Sequence, residues 1–206
     1  LHTGLCRANT RDRAVGLLNR VGISNPSQRY DQYPHPLSGG MRQRAMIAMA
    51  LVCHPRLVIA DEPTTALDVT IEAQILELLK DLQAEFGMSI MYISHDLTVV
   101  GGVADEVVVM YLGLVMEQAA TNELFDNPLH PYTEALWRSI PTIDGDLDRL
   151  TPIRGALPSP FATHKGCPFY SRCEKRITGV CDTARPPMVE ARPKHWVRCV
   201  LYADSK

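Results

Sequence analysis

The sequence predicts an α/β fold: a parallel sheet with crossover helices, followed by an irregular, cysteine-rich C-terminal extension. Three observations predict it. Apolar runs rich in β-branched residues, LVIAD (57–61), SIMYIS (89–94) and EVVVMY (106–111), alternate with stretches of helical periodicity. Strand, helix, strand at this spacing implies parallel strands joined by helices. After Phe125 the texture changes, with ten of the fifteen prolines lying beyond it. Four of the six cysteines crowd into the last forty residues.

The elements follow in order. Residues 10–21 read as a helix, with Thr10 as its cap and Gly22 as its stop. Residues 25–36, rich in Pro, Ser and Asn, read as a loop. LSGG (37–40) leads into MRQRAMIAMALVC, which is apolar on most sides and therefore expected to be a buried helix. After the LVIAD strand, Ile71, Ile75, Leu78, Leu79 and Leu82 sit at helical spacing over about 70–85, and Gly87 ends that helix. A short helix is expected over 97–103 between the second and third strands, and another over 131–140. From Thr151 onward the chain reads as turns and short pieces with too little periodicity for a core of its own.

Composition narrows the classes. The 206 residues, 46% of them hydrophobic, suffice for one domain and an appendage. Residues 1–150 hold 11 Lys+Arg against 19 Asp+Glu, and residues 151–206 hold 10 against 4, so the tail is basic and the body acidic. No aromatic-interleaved motif accompanies the basic tail, so nucleic acid is not an expected partner. The longest apolar run, near Val107 to Met116, is too short to cross a bilayer, which leads to the expectation of a soluble or membrane-peripheral protein. The chain begins at Leu1 rather than Met, which reads as a fragment or processed product.

The chemistry lies in the middle. Asp61 and Glu62 stand at the carboxyl end of a strand, where open α/β sheets bind ligands. One of two such acids can hold a Mg²⁺ shell and the other can orient or deprotonate a water; a capping acid pair is the plainer alternative. His95 stands at the end of the next strand and shares the rim with Glu62 if the two strands are neighbours; an exposed structural histidine is the plainer reading. Ser38, Gly39 and Gly40 precede a helix, whose unpaired N–H groups and dipole favour anions. Alone, that tetrapeptide is a weak signal.

Order and spacing add to these. LSGGMRQR, a helix, LVIADEP, TALD (65–68), a helix, a strand and SHD resemble the ATP-binding cassette (ABC) ATPases. The first looks like their signature motif, the second like Walker B, the third like the D-loop, and His95 like the switch histidine. The fold implied is the C-terminal part of a P-loop NTPase domain. The resemblance assigns Glu62 as general base or water-orienting residue, His95 to the γ-phosphate, Asp61 to Mg²⁺ and Asp68 to a dimer interface. It assigns Ser38, Gly39, Gly40 and Gln43 to the ATP held by an opposite ATPase subunit. The phosphate loop, an adenine-stacking aromatic and a Q-loop glutamine all stand upstream of the signature in this family. Here 36 residues precede LSGG, and no G-x-x-x-x-G-K-[ST] occurs. The expectation is therefore a chain without ATPase activity in isolation.

The tail narrows the resemblance. NPLHPYTEALWRSIP (127–141) followed by cysteines spaced C-x5-C-x7-C-x17-C resembles the ATPase subunits of oligopeptide, dipeptide and nickel importers. In that subfamily the matching positions, Cys167, Cys173, Cys181 and Cys199, are associated with a [4Fe–4S] cluster. Zinc and unmetallated thiols are the alternatives, although the C-x2-4-C knuckle usual for structural zinc is missing. Cys6 and Cys53 match no motif and read as buried small apolar residues. The organisation implied is an end of the helical subdomain (1–36), the ATPase core (37–125), a helical linker (126–150) and the cysteine-rich extension (151–206). The partners implied are two transmembrane permease subunits, a second ABC ATPase subunit and, indirectly, an extracytoplasmic peptide-binding protein, with the protein peripheral on the cytoplasmic face of the bacterial inner membrane. A non-hydrolysing half-cassette that only pairs with a partner, and an ABC ATPase without a transport role, are the other readings.

Overall fold

The computed structural model describes residues 7–65, 67–139, 153–156, 158 and 165–203. It divides into two compact units, Leu1–Asp96 and Leu97–Lys206.

In the first unit, α1 (Arg7–Arg20) starts one turn before the expected cap, so Thr10 lies inside the helix. Gly22, at φ 77°, ends it by adopting the left-handed conformation open to glycine. After one turn of helix, α2 (Pro26–Arg29), α3 (Gly39–Leu51) begins at LSGG. β1 (Leu57–Asp61) leads to α4 (Val69–Phe86), which is capped by Gly87 at φ 61°. β2 (Ser89–Ile93) pairs with β1 in parallel, Leu57 opposite Ser89 and Asp61 opposite Ile93. This is the crossover the sequence predicts.

One core holds the unit together: Leu17 and Val21 from α1, Ile47, Ala48 and Leu51 from α3, Ile75, Leu79 and Leu82 from α4, with Met88. Val58, Ile90 and Tyr92 press the sheet onto it from one face. The alternate residues, Leu57, Ile59, Met91 and Ile93, leave the opposite face exposed.

Two expectations are corrected here. The helix after LSGG is not buried all round: it packs through one stripe against α1 and α4, and Met46 and Met49 face outward, Met49 at 68% exposure. Cys53 is exposed rather than buried, because it follows the last buried turn of α3. Cys6 lies outside the described residues.

The second unit starts with α5 (Leu97–Val103), on the residues predicted. β3 (Glu106–Tyr111) is a strand as expected, but its partner is not parallel. It forms an antiparallel hairpin with β4 (Leu114–Ala120). The cause is the connection: Leu112 and Gly113 both have positive φ, 46° and 77°, the geometry of a two-residue hairpin turn. Next come α6 (Thr121–Asp126) and α7 (Pro131–Arg138), the latter with Pro131 at its first turn and His130 as cap.

The tail is tied to this hairpin. β5 (Val189–Arg192) and β6 (His195–Val197) complete a sheet of order β3-β4-β6-β5, antiparallel throughout. Phe169, buried, packs on Tyr111, Met116 and Tyr132. So the segment judged too poor for its own core borrows one: a strand edge from β4 and an aromatic pocket from the hairpin. No helix among the described residues is long and apolar enough to cross a membrane.

Candidate functional site

The rim of the parallel pair gathers the sequence's chemical residues. Because Asp61 lies opposite Ile93, the chain leaves both strands at the same level. The Glu62 N–H then continues the ladder by donating to the Ile93 carbonyl at 2.9 Å. Glu62 adopts φ 47°, unusual for a residue with a side chain, and there the chain turns. The turn closes when the Thr65 N–H donates to the Glu62 carbonyl at 3.2 Å, with Pro63 and Thr64 buried beneath it.

This geometry brings Glu62 and His95 together, with His95 Nδ1 2.8 Å from Glu62 Oε1. A third group, the first residue of the TALD stretch and given no role of its own by the sequence, completes the cluster: the Thr65 hydroxyl donates to Glu62 Oε2 at 2.5 Å. The sequence signal for it was its place at the head of TALD, three positions beyond the acid. The Thr65 hydroxyl, and then His95, hold the Glu62 carboxyl below its ordinary pKa, so it is ionised near neutrality. Glu62 in turn raises the pKa of His95. Asp61 ends β1 exposed on the same rim.

The LSGG segment folds as an N-cap. Ser38 is extended, and its hydroxyl accepts from the Met41 N–H at 3.3 Å. The glycines have a packing cause as well as a chemical one. A Cβ on Gly40 would stand 2.9 Å from an Ile71 methyl, and one on Gly39 would touch Leu67 at 3.6 Å. The helix start therefore rests directly on the first turn of α4 and the residues before it. Asp68 caps that helix, its carboxylate accepting from the Ile71 N–H at 2.9 Å. Gln43 lies half-buried on the second turn of α3. Ala66, inside the TALD stretch, is outside the described residues.

The cysteines are gathered but not closed into a metal site. The Cys167 N–H donates to the Cys181 carbonyl at 2.7 Å, and the Ile177 N–H points at Cys181 Sγ at 3.3 Å. Burial pushes the Cys173 thiol up to about 11, and Cys199, Cys167 and Cys181 all add to that shift, so the four thiols share one neighbourhood. Four thiols are the donor chemistry of a thiolate-bound metal. Yet among the described residues no group of three or more His, Cys, Asp or Glu side chains is placed to hold a metal ion.

Similarity to known proteins decides the family. Residues 4–65, containing LSGG and the Asp61–Thr65 turn, match the family described as ABC transporter. Residues 116–181 match the oligopeptide/dipeptide transporter C-terminal region. The chain is 52% identical over 204 residues to the oligopeptide transport ATP-binding protein AppD of Bacillus subtilis, covering 99% of this chain and 62% of the relative. The chain belongs to the ABC transporter ATP-binding proteins, in their oligopeptide/dipeptide branch. Over 200 residues this ABC chain is 48% identical to the dipeptide transport ATP-binding protein DppD of the same organism, covering 97% of the chain and 59% of DppD. It thus spans about three fifths of the length of the curated relatives it matches. Among solved structures, CbiO1 of Clostridium perfringens, part of the ABC transporter complex CbiONQ, aligns at TM-score 0.54 and 35% identity over 61% of this chain and 49% of that one. The ATP-binding cassette MJ1267 in its ADP conformation aligns at 0.54 and 22% identity, over 63% and 51%, which speaks for the fold alone.

Proposed function

We propose that this ABC chain is the Walker B and signature portion of an ATP-hydrolysing importer subunit for oligopeptides or dipeptides. The observation that carries the reading is the Glu62–His95 pair at the carboxyl ends of two parallel strands, with the acid held ionised. A carboxylate kept charged on an exposed rim is suited to orient or deprotonate water. In this reading Asp61 serves Mg²⁺, His95 meets the γ-phosphate of this subunit's own ATP, and Ser38, Gly39, Gly40 and Gln43 face the ATP of an opposite subunit. Asp68 stands at that interface. The residue ranges 37–125 for the ATPase core and 151–206 for the extension are kept as its division.

The relatives' names speak for peptides rather than nickel. Two permease subunits, a second ATPase and, through the permeases, a peptide-capturing protein are the partners of this reading. It places the protein at the cytoplasmic face of the membrane. For the four tail cysteines, the [4Fe–4S] proposal rests on the family resemblance alone, since the described side chains form no metal-holding group. Iron and acid-labile sulfide analysis of anaerobically purified protein tests it, and four free thiols with no iron would end it.

The test of function is reconstitution with the permeases and the opposite ATPase in proteoliposomes. Peptide-stimulated ATP hydrolysis that Glu62→Gln abolishes is expected. Consistent absence of the protein from membranes carrying its permeases would overturn the importer reading. Purified alone, a chain without G-x-x-x-x-G-K-[ST] is expected to show no turnover.

A further inference from the structure

The Asp61–Thr65 turn carries two adjacent threonines that point opposite ways. Thr64 is buried beside the Tyr92 hydroxyl on the core side of the sheet. Thr65 is exposed and turned back to Glu62. We propose that Thr65 is a positioning residue for Glu62, its hydroxyl holding Oε2 while His95 holds Oε1. The inference rests on the reading of Glu62 as the group that handles water.

Three features give the contact its force. A glutamate has three side-chain torsions, and Glu62 is 39% exposed, so without donors its carboxylate would sample several rotamers. Here each oxygen has its own donor, at 2.5 and 2.8 Å. Among the described residues the Thr65 hydroxyl has no backbone partner, although threonine in a turn commonly bonds a nearby N–H or C=O. Finally, the turn is anchored at both ends, by the Glu62 N–H on Ile93 and the Thr65 N–H on Glu62, so the hydroxyl is delivered by a fixed frame. The groups that bear on the cluster's charge are His95 and, through His95, Asp96. The hydroxyl keeps Glu62 aimed, and the imidazole alone can fix only one oxygen.

The experiment uses Thr65→Val, which keeps the shape and removes the hydroxyl, and Thr65→Ser, which keeps the hydroxyl. In the chain itself, NMR three-bond couplings of the Glu62 side chain report its rotamer. In the assembled ATPase, kcat and KM for ATP are measured. For Thr65→Val the Glu62 side chain should average over several rotamers, and kcat should fall about ten- to a hundredfold with KM little changed. Thr65→Ser should restore both. An unchanged Glu62 rotamer and kcat in Thr65→Val, or a Thr65→Ser as impaired as the valine variant, would overturn the proposal. If Glu62→Gln leaves turnover intact, the reading of Glu62 falls, while the Glu62 couplings still decide the Thr65 contact.

Discussion

Among the described residues, each unit of this chain holds a glutamate–histidine pair in close hydrogen-bond contact, and these two pairs are chemically alike. His95 Nδ1 lies 2.8 Å from Glu62, and His195 Nε2 lies 2.7 Å from Glu117. Their surroundings are opposite. The first pair is open to solvent, His95 at 79% and Glu62 at 39% exposure, whereas both members of the second are fully buried. The buried carboxylate also accepts from the Leu129 and His130 N–H groups, at 2.6 and 3.0 Å, and His195 reaches on to Glu123 and thence Arg192. That network ties the NPLHP loop to β4 and β6, so it fastens the tail to the hairpin. The exposed pair has almost no such structural duty and, in the proposed reading, faces the arriving nucleotide. Distance alone does not separate a functional pair from a structural one; burial and the number of backbone groups depending on the acid do.

The sharpest way to break the comparison is Glu117→Ala. It leaves His195 and two N–H groups without their acceptor, and a broken buried pair costs about 3–5 kcal/mol. Both tryptophans, Trp137 and Trp196, lie in the second unit, so urea unfolding followed by tryptophan fluorescence reads it directly. A midpoint unchanged from wild type would make the buried pair dispensable. Next comes Gly166→Ala. Its Cβ would fall 2.2 Å from the Cys181 carbonyl and 2.7 Å from the Asp182 backbone, so the tail must shift. A loss of about 1–3 kcal/mol in the same assay is expected.

A pH series sharpens the contrast between the units. Burial pushes His130 down to about 4, from an ordinary 6.5. The unfolded chain therefore takes up the proton first. The His130 contribution is present above pH 6.5 and is lost as pH falls from there toward 4. In the exposed pair, the raised His95 contributes below its unfolded pKa and loses that contribution as pH rises through the folded value, while the lowered Glu62 contributes above its own unfolded pKa and loses it in acid. Proton NMR should show His95 titrating above ordinary histidine and returning toward it in Glu62→Gln. The smallest effects are at the caps. Asp68→Ala, which removes a 2.9 Å cap bond, should cost about 1 kcal/mol, and Ser38→Ala, with a bond of 3.3 Å, less than that. Hydrogen exchange at the first turns of α4 and α3 measures both.

The exposed pair was legible in the sequence because both partners close a β-branched strand inside a run of spaced motifs. Periodicity also placed α4 and its glycine stop, Gly87, since those depend on local spacing and capping. The buried pair was not legible. Its partners are 78 residues apart, and Glu117 hides in VMEQA, where alternation fails. The cause is a bulge: Val109 pairs with Glu117 and Met110 with Val115, which leaves Met116 without an opposite residue on β3. An unpaired residue lets Met116 and Glu117 both turn inward, in consecutive positions that a period of two would send to opposite faces. The antiparallel partner of β3 was missed for a related reason: Leu112 carries positive φ in a turn whose only sequence signal is the single glycine after it.

The central claim is that one pair does chemistry and the other holds structure. It is tested by measuring ATP turnover and urea midpoint together for Glu62→Gln in the protein assembled with its partners. The account predicts that turnover falls about 10²- to 10⁴-fold while the midpoint stays at the wild-type value. Turnover near wild type, or a loss matched by the same fall in midpoint as Glu117→Ala, would contradict it.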